Sequence, residues 1–306
     1  MQPHQKVDDD TTRLGSLEDA TLRTDGTGSR KASLIVLAGW EIGREVELST
    51  EEHNIGRSPT ADTTISQPSI SRNHAQIVRV SDKEGEYYEV RDLDSRNGVF
   101  VNNVRVRSAR LSNGDKILLG DVLVKFTLHD SIDANFYKEV HRLIHYEQLT
   151  GLLTMDSFRR YLDQEIARSK ANGLKFCLAM TDLDGLKKVN DTHGHLAGRK
   201  VVKEMGAIIR ASLRGDDKPG LYGGDEAIIL YPETTLKEAG AVAERLRKAI
   251  ESKLFEHQGK EFRVSISQGL AEWPSHGTTA DQIIEAADSM LYAAKSAGRN
   301  CVKLKE

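Results

Sequence analysis

The segment Gly223-Gly224-Asp225-Glu226-Ala227 constrains the fold of this chain more than any other part of its sequence. Leu221-Tyr222 before it and the apolar residues 227–231 after it predict two strands joined by a tight turn at the glycine pair, which is the pattern of a β-hairpin. Earlier in the chain, the apolar run 176–180 predicts a buried strand that ends at Thr181-Asp182-Leu183-Asp184. The hairpin turn can therefore bring Asp225 and Glu226 beside the end of that strand.

Carboxylates gathered at one edge of a sheet repel one another unless a cation lies between them. Oxygen ligands of this kind suit Mg²⁺, which commonly binds one or two carboxylates together with the phosphates of a nucleotide. Gly223 and Gly224 leave room for a nucleotide to approach the backbone. The sequence thus predicts a site for a nucleotide and for Mg²⁺ (or Mn²⁺).

Four ordered motifs make the C-terminal half of the chain similar to the GGDEF family of diguanylate cyclases. They are Leu149-Thr150-Gly151-Leu152; the run 182–191 with Gly194-His195 and Gly198; the Gly223-Gly224-Asp225-Glu226 turn; and Ala287-Asp288 with Leu291-Tyr292-Ala293-Ala294-Lys295 and Gly298-Arg299-Asn300. The resemblance covers roughly residues 145–306. It implies an α/β fold with a central sheet flanked by helices, as in nucleotidyl cyclases. It also implies that two GTP molecules are joined into cyclic di-GMP, with release of two pyrophosphates.

The resemblance assigns metal and catalytic roles to individual residues. Asp182 and Glu226 correspond to Mg²⁺ ligands, with the Leu183 carbonyl nearby, and Asp225 corresponds to a further metal ligand or to the general base. Asp184 matches the same motif, but an aspartate that ends a strand and caps the next helix is an equally good interpretation. The implied catalytic residues are Asp225, Glu226, Lys295 and Arg299.

The resemblance also implies how the substrate is bound. Lys295 and Arg299 lie four residues apart on the predicted last helix, hence on one face, and match the family's phosphate-binding pair. The other implied substrate-binding residues are Asn190, Lys187, Gly223 and Gly224.

Two positions depart from the family pattern. An acidic residue that accepts hydrogen bonds from the guanine edge usually follows Gly198, but this chain has Arg199, whose guanidinium has only donors. Arg214 and Asp217 match the family's product-inhibition site, whereas Leu221 stands where a second arginine is usual. Altered base recognition is therefore expected, and product binding through Arg214 and Asp217 is weighed against a plain surface ion pair.

Composition divides the chain into four parts. Residues 1–31 are rich in Asp, Thr, Gly and Ser and are predicted to be disordered. Residues 32–129 alternate short apolar runs with turn residues, as in an all-β domain, and residues 149–306 alternate strands and helices, as in an α/β domain. Between them, residues 130–148 predict a linker helix, because apolar groups recur at helical spacing: Phe136, Val140, Leu143 and Ile144.

Four further motifs make residues 32–129 similar to the forkhead-associated (FHA) family. They are Gly56-Arg57, Ser71-Arg72-Asn73-His74, Asp94-Ser95-Arg96-Asn97-Gly98 and Val99-Phe100-Val101-Asn102. The resemblance implies a β-sandwich whose loops at one end bind a phosphothreonine peptide. Arg57 would pair with the phosphate, since a guanidinium matches phosphate geometry, Ser71 would hydrogen-bond it, and Asn97 would hold the peptide backbone. Arg72 would add a second charge, and His74 is expected to support the loop.

The N-terminal tail contains a candidate ligand for such a domain. Thr11 and Thr12 follow the acidic run Asp8-Asp9-Asp10, and Leu14 is the third residue after Thr11, a position that FHA domains often read. A Ser/Thr kinase that prefers acidic sequences would modify these threonines. The tail is otherwise a solvated leader, and the phosphothreonine would then come from another protein.

The overall composition does not favour nucleic acid or a membrane as a partner. The net charge of −3 and the pI of about 6.4 do not favour nucleic acid as a partner. No apolar run is long enough to span a membrane, and no signal peptide is apparent, so a cytoplasmic protein without a membrane partner is expected. Cys177 and Cys301 are expected to be buried, reduced thiols.

The leading interpretation is a phosphorylation-regulated diguanylate cyclase that works as a homodimer, since each domain would hold one GTP. The linker helix would pair with a second chain, or else pack against its own domains. Two alternatives stay open. One is a catalytically silent scaffold that binds phosphopeptide and cyclic di-GMP, and the other is a dinucleotide cyclase that also accepts ATP.

Overall fold

Short strands of alternating burial build residues 31–129 into a β-sandwich in this computed structural model. The structure describes residues 31–39, 41–83, 85–129 and 131–305, so the predicted disordered tail, with Thr11 and Thr12, lies almost wholly outside the described residues. The strands are β1 (Lys31–Ala38), β2 (Glu45–Glu47), β3 (Glu52–Gly56), β4 (Thr63–Thr64), β5 (Ala75–Asp82), β6 (Gly85–Asp92), β7 (Val99–Val101), β8 (Val104–Val106), β9 (Ser108–Leu111), β10 (Lys116–Leu119) and β11 (Val122–His129).

Two sheets pack face to face in this sandwich. One has the order β2-β1-β11-β10-β7-β8 and the other β4-β3-β5-β6-β9. On β11, burial alternates between Val122, Val124 and Phe126 on the inner face and less buried residues between them. This alternation of period two is what a sheet with one face on a core requires. The prediction of an all-β sandwich is confirmed.

The rest of the chain alternates helices and strands. The elements are α1 (Ser131–His145), α2 (Met155–Asn172), β12 (Phe176–Asp184), α3 (Leu186–His193), α4 (His195–Ser212), β13 (Lys218–Leu221), β14 (Glu226–Pro232), α5 (Leu236–Ser252), β15 (Phe255–His257), β16 (Lys260–Phe262), β17 (Ser265–Trp273), α6 (Ala280–Ser296) and β18 (Val302–Leu304). The main sheet has the order β13-β14-β12-β17-β18 and is antiparallel except for the β17–β18 pair. Thus the predicted hairpin is β13–β14, and it lies beside the predicted strand β12.

Helices cover both faces of this sheet, so its central strands are buried on both sides. On β12, Cys177 and Ala179 belong to the core under α4 and α5, whereas Leu178 and Met180 belong to the core under α2 and α6. Because successive side chains of a strand point to opposite faces, the residues after this run alternate in the same way. Asp182 therefore follows Met180 on the α6 face.

Helix α1 is shorter at its C-terminus than the predicted helix 130–148. Glu147 ends it, because its carboxylate accepts hydrogen bonds from the backbone N–H groups of Leu149 and Thr150, at 2.9 and 2.7 Å, and so forms a turn. Of the apolar residues of the predicted stripe, Phe136, Leu143 and Ile144 are exposed and Val140 is partly buried. No helix among the described residues is long and apolar enough to cross a membrane.

The loop between β1 and β2 connects the sandwich to the α/β part. The Ile42 carbonyl oxygen lies 2.8 Å from Nε2 of His145 at the end of α1, and His145 Nδ1 lies 2.8 Å from Ser157 Oγ on α2. Tyr161 of α2 donates a hydrogen bond to Glu41. A side chain at Gly43 would meet the α1 backbone at 3.2 Å from Cα of His141. The two halves thus touch through polar contacts and a close backbone approach.

Candidate active site

Strand register brings together two of the predicted metal ligands. Asp182 on β12 lies directly opposite Glu226 at the start of β14. The turn before Glu226 closes through hydrogen bonds from Tyr222 N and Gly223 N to the Glu226 carbonyl, at 2.8 and 3.2 Å. Beside it, Leu183 N lies 3.4 Å from the Asp225 carbonyl oxygen. The hairpin therefore carries its acidic pair to the end of β12, as the sequence predicted.

Lys295 of α6 lies between these carboxylates. Its Nζ is 2.8 Å from Asp182 Oδ2 and 3.8 Å from Glu226 Oε1. The helix reaches this position because it packs tightly on β17 at Gly269, where an added Cβ would lie 1.9 Å from the backbone nitrogen of Leu291. Only a glycine permits that approach. The lysine thus neutralises part of the acidic cluster.

Burial and mutual repulsion perturb two of the carboxyl groups. Burial raises the pKa of Asp225, and so does the charge of Asp182, while Lys295 opposes them. Burial and Asp182 also raise the pKa of Glu226, again against Lys295. A carboxyl group whose ionised form is disfavoured gains most from an added cation. The cluster therefore carries more negative charge than Lys295 alone offsets.

The donor set fits a hard divalent cation. All side-chain donors are carboxylate oxygens, which Mg²⁺ and Mn²⁺ prefer. In the described part of the chain, no group of three or more His, Cys, Asp or Glu side chains converges into a preformed metal site. The Lys295 ammonium lies where the carboxylates face one another, so a cation would have to displace it.

The predicted geometry of Lys295 and Arg299 was wrong. Helix α6 ends at Ser296, and Arg299 lies beyond it in a turn, with φ +66°. Asn300 follows with φ +47°. The two cations therefore do not share a helical face, and the position of Arg299 depends on what holds the turn 298–300. Sequence spacing missed this because a Gly-containing helix end permits a left-handed turn.

Asp184 neither caps α3 nor joins the acidic cluster. The N-cap residue of α3 is Gly185, which makes no side-chain capping bond. Instead, Asp184 accepts hydrogen bonds from Ser265 Oγ and Ser267 Oγ, both at 2.7 Å, and from the backbone N–H of Asn300 at 3.0 Å. The helix-capping interpretation is therefore wrong. The serines went unnoticed in the sequence because only the pairing of β17 with β12 puts them beside Asp184.

The predicted base-binding residues lie on α3 and α4. The Asn190 side chain packs on Gly198, where a Cβ would lie 1.9 Å from Asn190 Oδ1. Arg199 is exposed. Burial acts to raise the pKa of Glu147, but hydrogen bonds from Leu149 and Thr150, together with the charge of Arg199, lower it overall. Lys187 is exposed on α3, and no hydrogen bond or ion pair links it to the acidic cluster among the described residues.

Arg214 and Asp217, the predicted product site, are paired with each other. The Arg214 backbone N–H donates to Asp217 Oδ2 at 2.9 Å. The Nη2 atom of the Arg214 side chain lies 2.9 Å from Thr234 Oγ1 and 3.5 Å from Asp217 Oδ1. The Asp217 side chain is only 1% exposed, whereas that of Arg214 is 64% exposed. A cavity of about 220 Å³ opens beside them and is lined in part by Tyr146, Tyr161, Arg210 and Lys218. A ligand would meet the arginine first.

The predicted phosphopeptide residues lie on three loops that touch one another. Arg57 Nε donates to the Ile70 carbonyl at 3.2 Å, and Ser71 Oγ accepts from the Arg96 N–H at 3.0 Å. Asn97 Nδ2 donates to the Ser69 carbonyl at 2.7 Å. Ser71 Oγ keeps its own hydroxyl hydrogen to donate. Arg72, on the same loop as Ser71, is exposed.

His74 supports these loops from beneath. It is fully buried, its Nδ1 accepts from the Ser71 N–H at 3.0 Å, and its Nε2 lies 3.3 Å from the Gly98 carbonyl. The prediction that this histidine supports the loop is confirmed.

The chain has two cysteines. Cys177 is buried and Cys301 is partly exposed, and both are free. The prediction of burial was therefore wrong for Cys301.

The fold and the acidic site agree with two family models. Residues 144–301 match the model described as "Diguanylate cyclase, GGDEF domain", and residues 53–120 match the FHA domain model. The first match covers more than half of the chain. The chain belongs to the GGDEF family, and it joins an FHA domain to its GGDEF domain.

Individual relatives point the same way. Diguanylate cyclase DgcS of Shewanella oneidensis is 37% identical over 177 residues, which cover 58% of this chain and 58% of that protein. Response regulator PleD of Caulobacter vibrioides is 34% identical over 158 residues, covering 51% of this chain and 35% of PleD. The chain thus spans less than two thirds of the length of these relatives.

Solved structures match the α/β part. Diguanylate cyclase SiaD, in complex with its activator SiaC from Pseudomonas aeruginosa, has a TM-score of 0.53 and 32% identity, and the match covers 57% of this chain and 66% of that one. The coiled coil and GGDEF domain of DgcB from Caulobacter crescentus, in complex with c-di-GMP, has a TM-score of 0.53 and 26% identity, with 57% and 92% covered.

Proposed function

We propose that this protein is a diguanylate cyclase that condenses two GTP molecules into cyclic di-GMP with release of two pyrophosphates. The observation that carries this proposal is the pairing of Asp182 with Glu226 across β12 and β14, with Asp225 adjacent and the Lys295 ammonium between them. Similarity to the diguanylate cyclase DgcS supports it. Mg²⁺ or Mn²⁺ would be held by Asp182, Glu226, Asp225 and the Leu183 carbonyl, and when bound it would neutralise charge that develops on the phosphates.

The residues of the chain have separate tasks in this reaction. Lys295 would bind the phosphates once a bound cation neutralised the carboxylates that it now contacts, and Arg299 would be the second cation at the phosphates. The raised pKa of Asp225 brings that carboxyl nearer to the pH at which a general base exchanges protons efficiently. Asp225 accordingly either takes the proton of the attacking 3′-hydroxyl or completes the metal site. Asn190, Lys187, Gly223 and Gly224 complete the nucleotide site.

The reaction requires a homodimer, because each GGDEF domain holds one GTP and the two must face each other. The exposed residues Phe136, Leu143 and Ile144 of α1 supply an apolar surface for contact between chains. The opposite side of α1 packs against its own sandwich, where His145 is buried. In this proposal the helix serves both contacts that the sequence left as alternatives.

The FHA domain is proposed to regulate the cyclase by binding phosphothreonine. Arg57, Ser71, Arg72 and Asn97 would bind a phosphopeptide, supplied either by Thr11 or Thr12 of the chain's own tail after phosphorylation by a Ser/Thr kinase or by another protein. A phosphate group with nearly two negative charges would be attracted to the end of the sandwich that carries Arg57 and Arg72. Docking within one chain would gain from high effective concentration.

One incubation tests the proposed reaction. Purified protein is mixed with Mg²⁺ and GTP, ATP or both, and the products are separated by chromatography, with the Asp225→Ala protein as control. Cyclic di-GMP from the wild type, reduced by at least two powers of ten in the variant, is expected. Absence of any nucleotide product in the wild type would favour a silent scaffold that binds phosphopeptide and cyclic di-GMP.

Arg199 favours a second candidate, a dinucleotide cyclase that also accepts ATP. A site that hydrogen-bonds its base rejects analogues that leave its polar groups unpaired. Here the usual acidic acceptor is replaced by a donor on α4. A product that contains adenine in the same incubation would support this candidate.

A further inference from the structure

The turn 298–300 has an unfavourable backbone that its surroundings must hold in place. Arg299 and Asn300 both adopt the left-handed backbone conformation, which residues other than glycine rarely adopt. Such residues persist where several contacts over-determine them. The end of α6 supplies the first of these contacts, because Arg299 N donates to the Ala294 carbonyl at 3.1 Å.

Asp184 supplies the contact from the sheet. Its Oδ2 accepts the Asn300 N–H at 3.0 Å and Ser265 Oγ at 2.7 Å, and its Oδ1 accepts Ser267 Oγ at 2.7 Å. Both oxygens are thereby used, and the two serines fix the carboxylate plane. A carboxylate held by neighbouring donors is an accurate anchor for the backbone N–H that it binds.

The Asn300 side chain supplies the contact from α5. Its Oδ1 accepts from Arg247 Nη1 at 2.6 Å, and its Nδ2 donates to Glu251 Oε1 at 2.6 Å. Arg247 is itself paired with Glu244 and Glu251. Asn300 is thus held through its backbone by β12 and through its side chain by α5, which leaves the preceding Arg299 exposed and free to bind a ligand.

We propose that Asp184 is a positioning residue of the cyclase, which holds the turn 298–300 so that Arg299, together with Lys295, binds the nucleotide phosphates. Asp184 and the metal-ligand candidate Asp182 lie two residues apart on one strand, hence on the same face. One strand therefore positions both the cation site and the phosphate-binding arginine. This inference rests on the proposed function, because it assigns Arg299 to the phosphates of GTP.

A double-mutant cycle tests the coupling between Asp184 and Arg299. Asp184→Ala is expected to lower kcat/KM for GTP by about ten- to a hundredfold, mainly through KM, because misplacement of a binding group by an ångström costs up to about a hundredfold. In the Arg299→Ala background the same change is expected to cost less than about twofold. Asp184→Asn keeps one acceptor for the Asn300 N–H and is expected to restore most of the loss. If the two losses multiply instead, Asp184 does not act through Arg299.

Glu272→Ala is the matched control for a general loss of stability. Glu272 is also a carboxylate of the central sheet, bound by Lys175 at 2.7 Å and by Leu236 N at 3.0 Å, but it lies at the other end of β17. Any effect of its removal is expected to multiply with that of Arg299→Ala. A cycle for Glu272 that matched the Asp184 cycle would overturn the positioning role.

Hydrogen exchange at the Asn300 amide provides a readout that does not depend on turnover. The wild-type amide is expected to be protected, and Asp184→Ala is expected to speed its exchange at least tenfold while core amides of β12 change less. Unchanged exchange at Asn300 would refute the inference. If the wild type makes no product from GTP, the proposed function fails, and the exchange result still tests the positioning by Asp184.

Discussion

The phenolic hydroxyl of Tyr161 on α2 donates a hydrogen bond to Glu41 in the loop between β1 and β2, and this bond joins the GGDEF domain to the FHA domain. Burial raises the pKa of Tyr161, and the charge of Glu41 adds to it, so the phenol stays protonated as the donor. Burial acts to raise the pKa of Glu41, but the bonds from Tyr161 and Arg44 lower it overall. The pair is therefore a charge-assisted hydrogen bond at neutral pH.

The β1–β2 loop lies near the end of the sandwich that we propose binds phosphopeptide. Asn97 Nδ2 donates to the Ser69 carbonyl at 2.7 Å, and Ser69 Oγ donates to Asp121. An added Cβ at Gly39 would lie 2.8 Å from the Asp121 carbonyl oxygen. These contacts link the loop of Asn97 to Gly39, which lies two residues before Glu41 in the chain.

We expect Tyr161→Phe to weaken communication between the two domains. Turnover of GTP is measured with and without a phosphothreonine-11 peptide of residues 8–17, and the variant is expected to lose at least half of the change that the peptide causes in the wild type. Tyr87→Phe, the same chemical change at a half-buried position on β6 away from the domain contact, is the control and is expected to respond as the wild type does. An unchanged response in Tyr161→Phe would show that this hydrogen bond carries no signal.

The raised carboxyl pKa values predict how the stability of the metal-free protein depends on pH. A carboxyl group whose pKa is raised in the folded state adds to the free energy of unfolding, relative to its ionised form. This contribution is fully present below the ordinary pKa, which is 3.8 for Asp225 and 4.5 for Glu226. It is lost as the pH rises through the raised value. Asp225→Asn removes the Asp225 part. We therefore expect the variant to gain thermal stability over the wild type as the pH rises from about 4 to about 7.

Thermal unfolding in the absence of divalent cations checks this expectation. The variant minus wild-type difference cancels the opposite pH dependence of buried histidines such as His74 and His145, whose pKa values burial lowers. Addition of Mg²⁺ is expected to stabilise the wild type and to do so less in Asp225→Asn. A difference that does not grow with pH would contradict the predicted electrostatic strain at Asp225.

Arg199→Asp is expected to sharpen selection of the base. Aspartate restores the acceptor that can bind the guanine edge, so competition between GTP and ATP is expected to show at least tenfold stronger discrimination in the variant. The measurement is the ratio of guanine to adenine in the cyclic products at equal substrate concentrations. Equal ratios in both proteins would mean that Arg199 takes no part in selecting the base.

Arg214→Ala is expected to weaken binding of cyclic di-GMP outside the catalytic cluster. The wild type, freed of any copurified ligand, is expected to bind in the micromolar range, about −8 kcal/mol, and the variant at least tenfold more weakly. Isothermal calorimetry measures both. Asp217 is buried behind the arginine, so we expect the arginine to carry most of the loss, and no binding to the wild type would rule the site out.

Arg57→Ala is expected to abolish phosphopeptide binding. The Arg57 guanidinium would make charge-assisted hydrogen bonds to the phosphate. Without the guanidinium, the negative charge of the bound phosphate would have no partner. Fluorescence anisotropy with the phosphothreonine-11 peptide of residues 8–17 and with its unmodified form measures the effect, and only the phosphorylated peptide is expected to bind. Failure of the phosphorylated peptide to bind the wild type would mean that the domain reads another protein.

Motifs made from adjacent residues were predictable, because local backbone preference and a single strand register position them. The Gly223-Gly224 turn, the strand end at Asp182 and the sandwich loops around Ser71 and Asn97 are of this kind. Each depends on the alternation of apolar and polar residues along a strand, on residues that favour a tight turn, or on both.

Arg299 and Asp184 show what local rules cannot decide. Spacing placed Arg299 on the last helix, but that helix stops at Ser296, and a contact from a strand more than a hundred residues earlier in the chain, through Asp184 and Asn300, holds the turn beyond it. Local motifs, together with their resemblance to two known families, were sufficient to predict two domains, their fold classes and the acidic cluster of Asp182 and Glu226. The anchoring of Arg299, the pairing of Asp217 with Arg214 and the Tyr161–Glu41 bond arise from long-range packing, because hydrogen bonds between residues distant in sequence exist only after the sheets and helices have assembled.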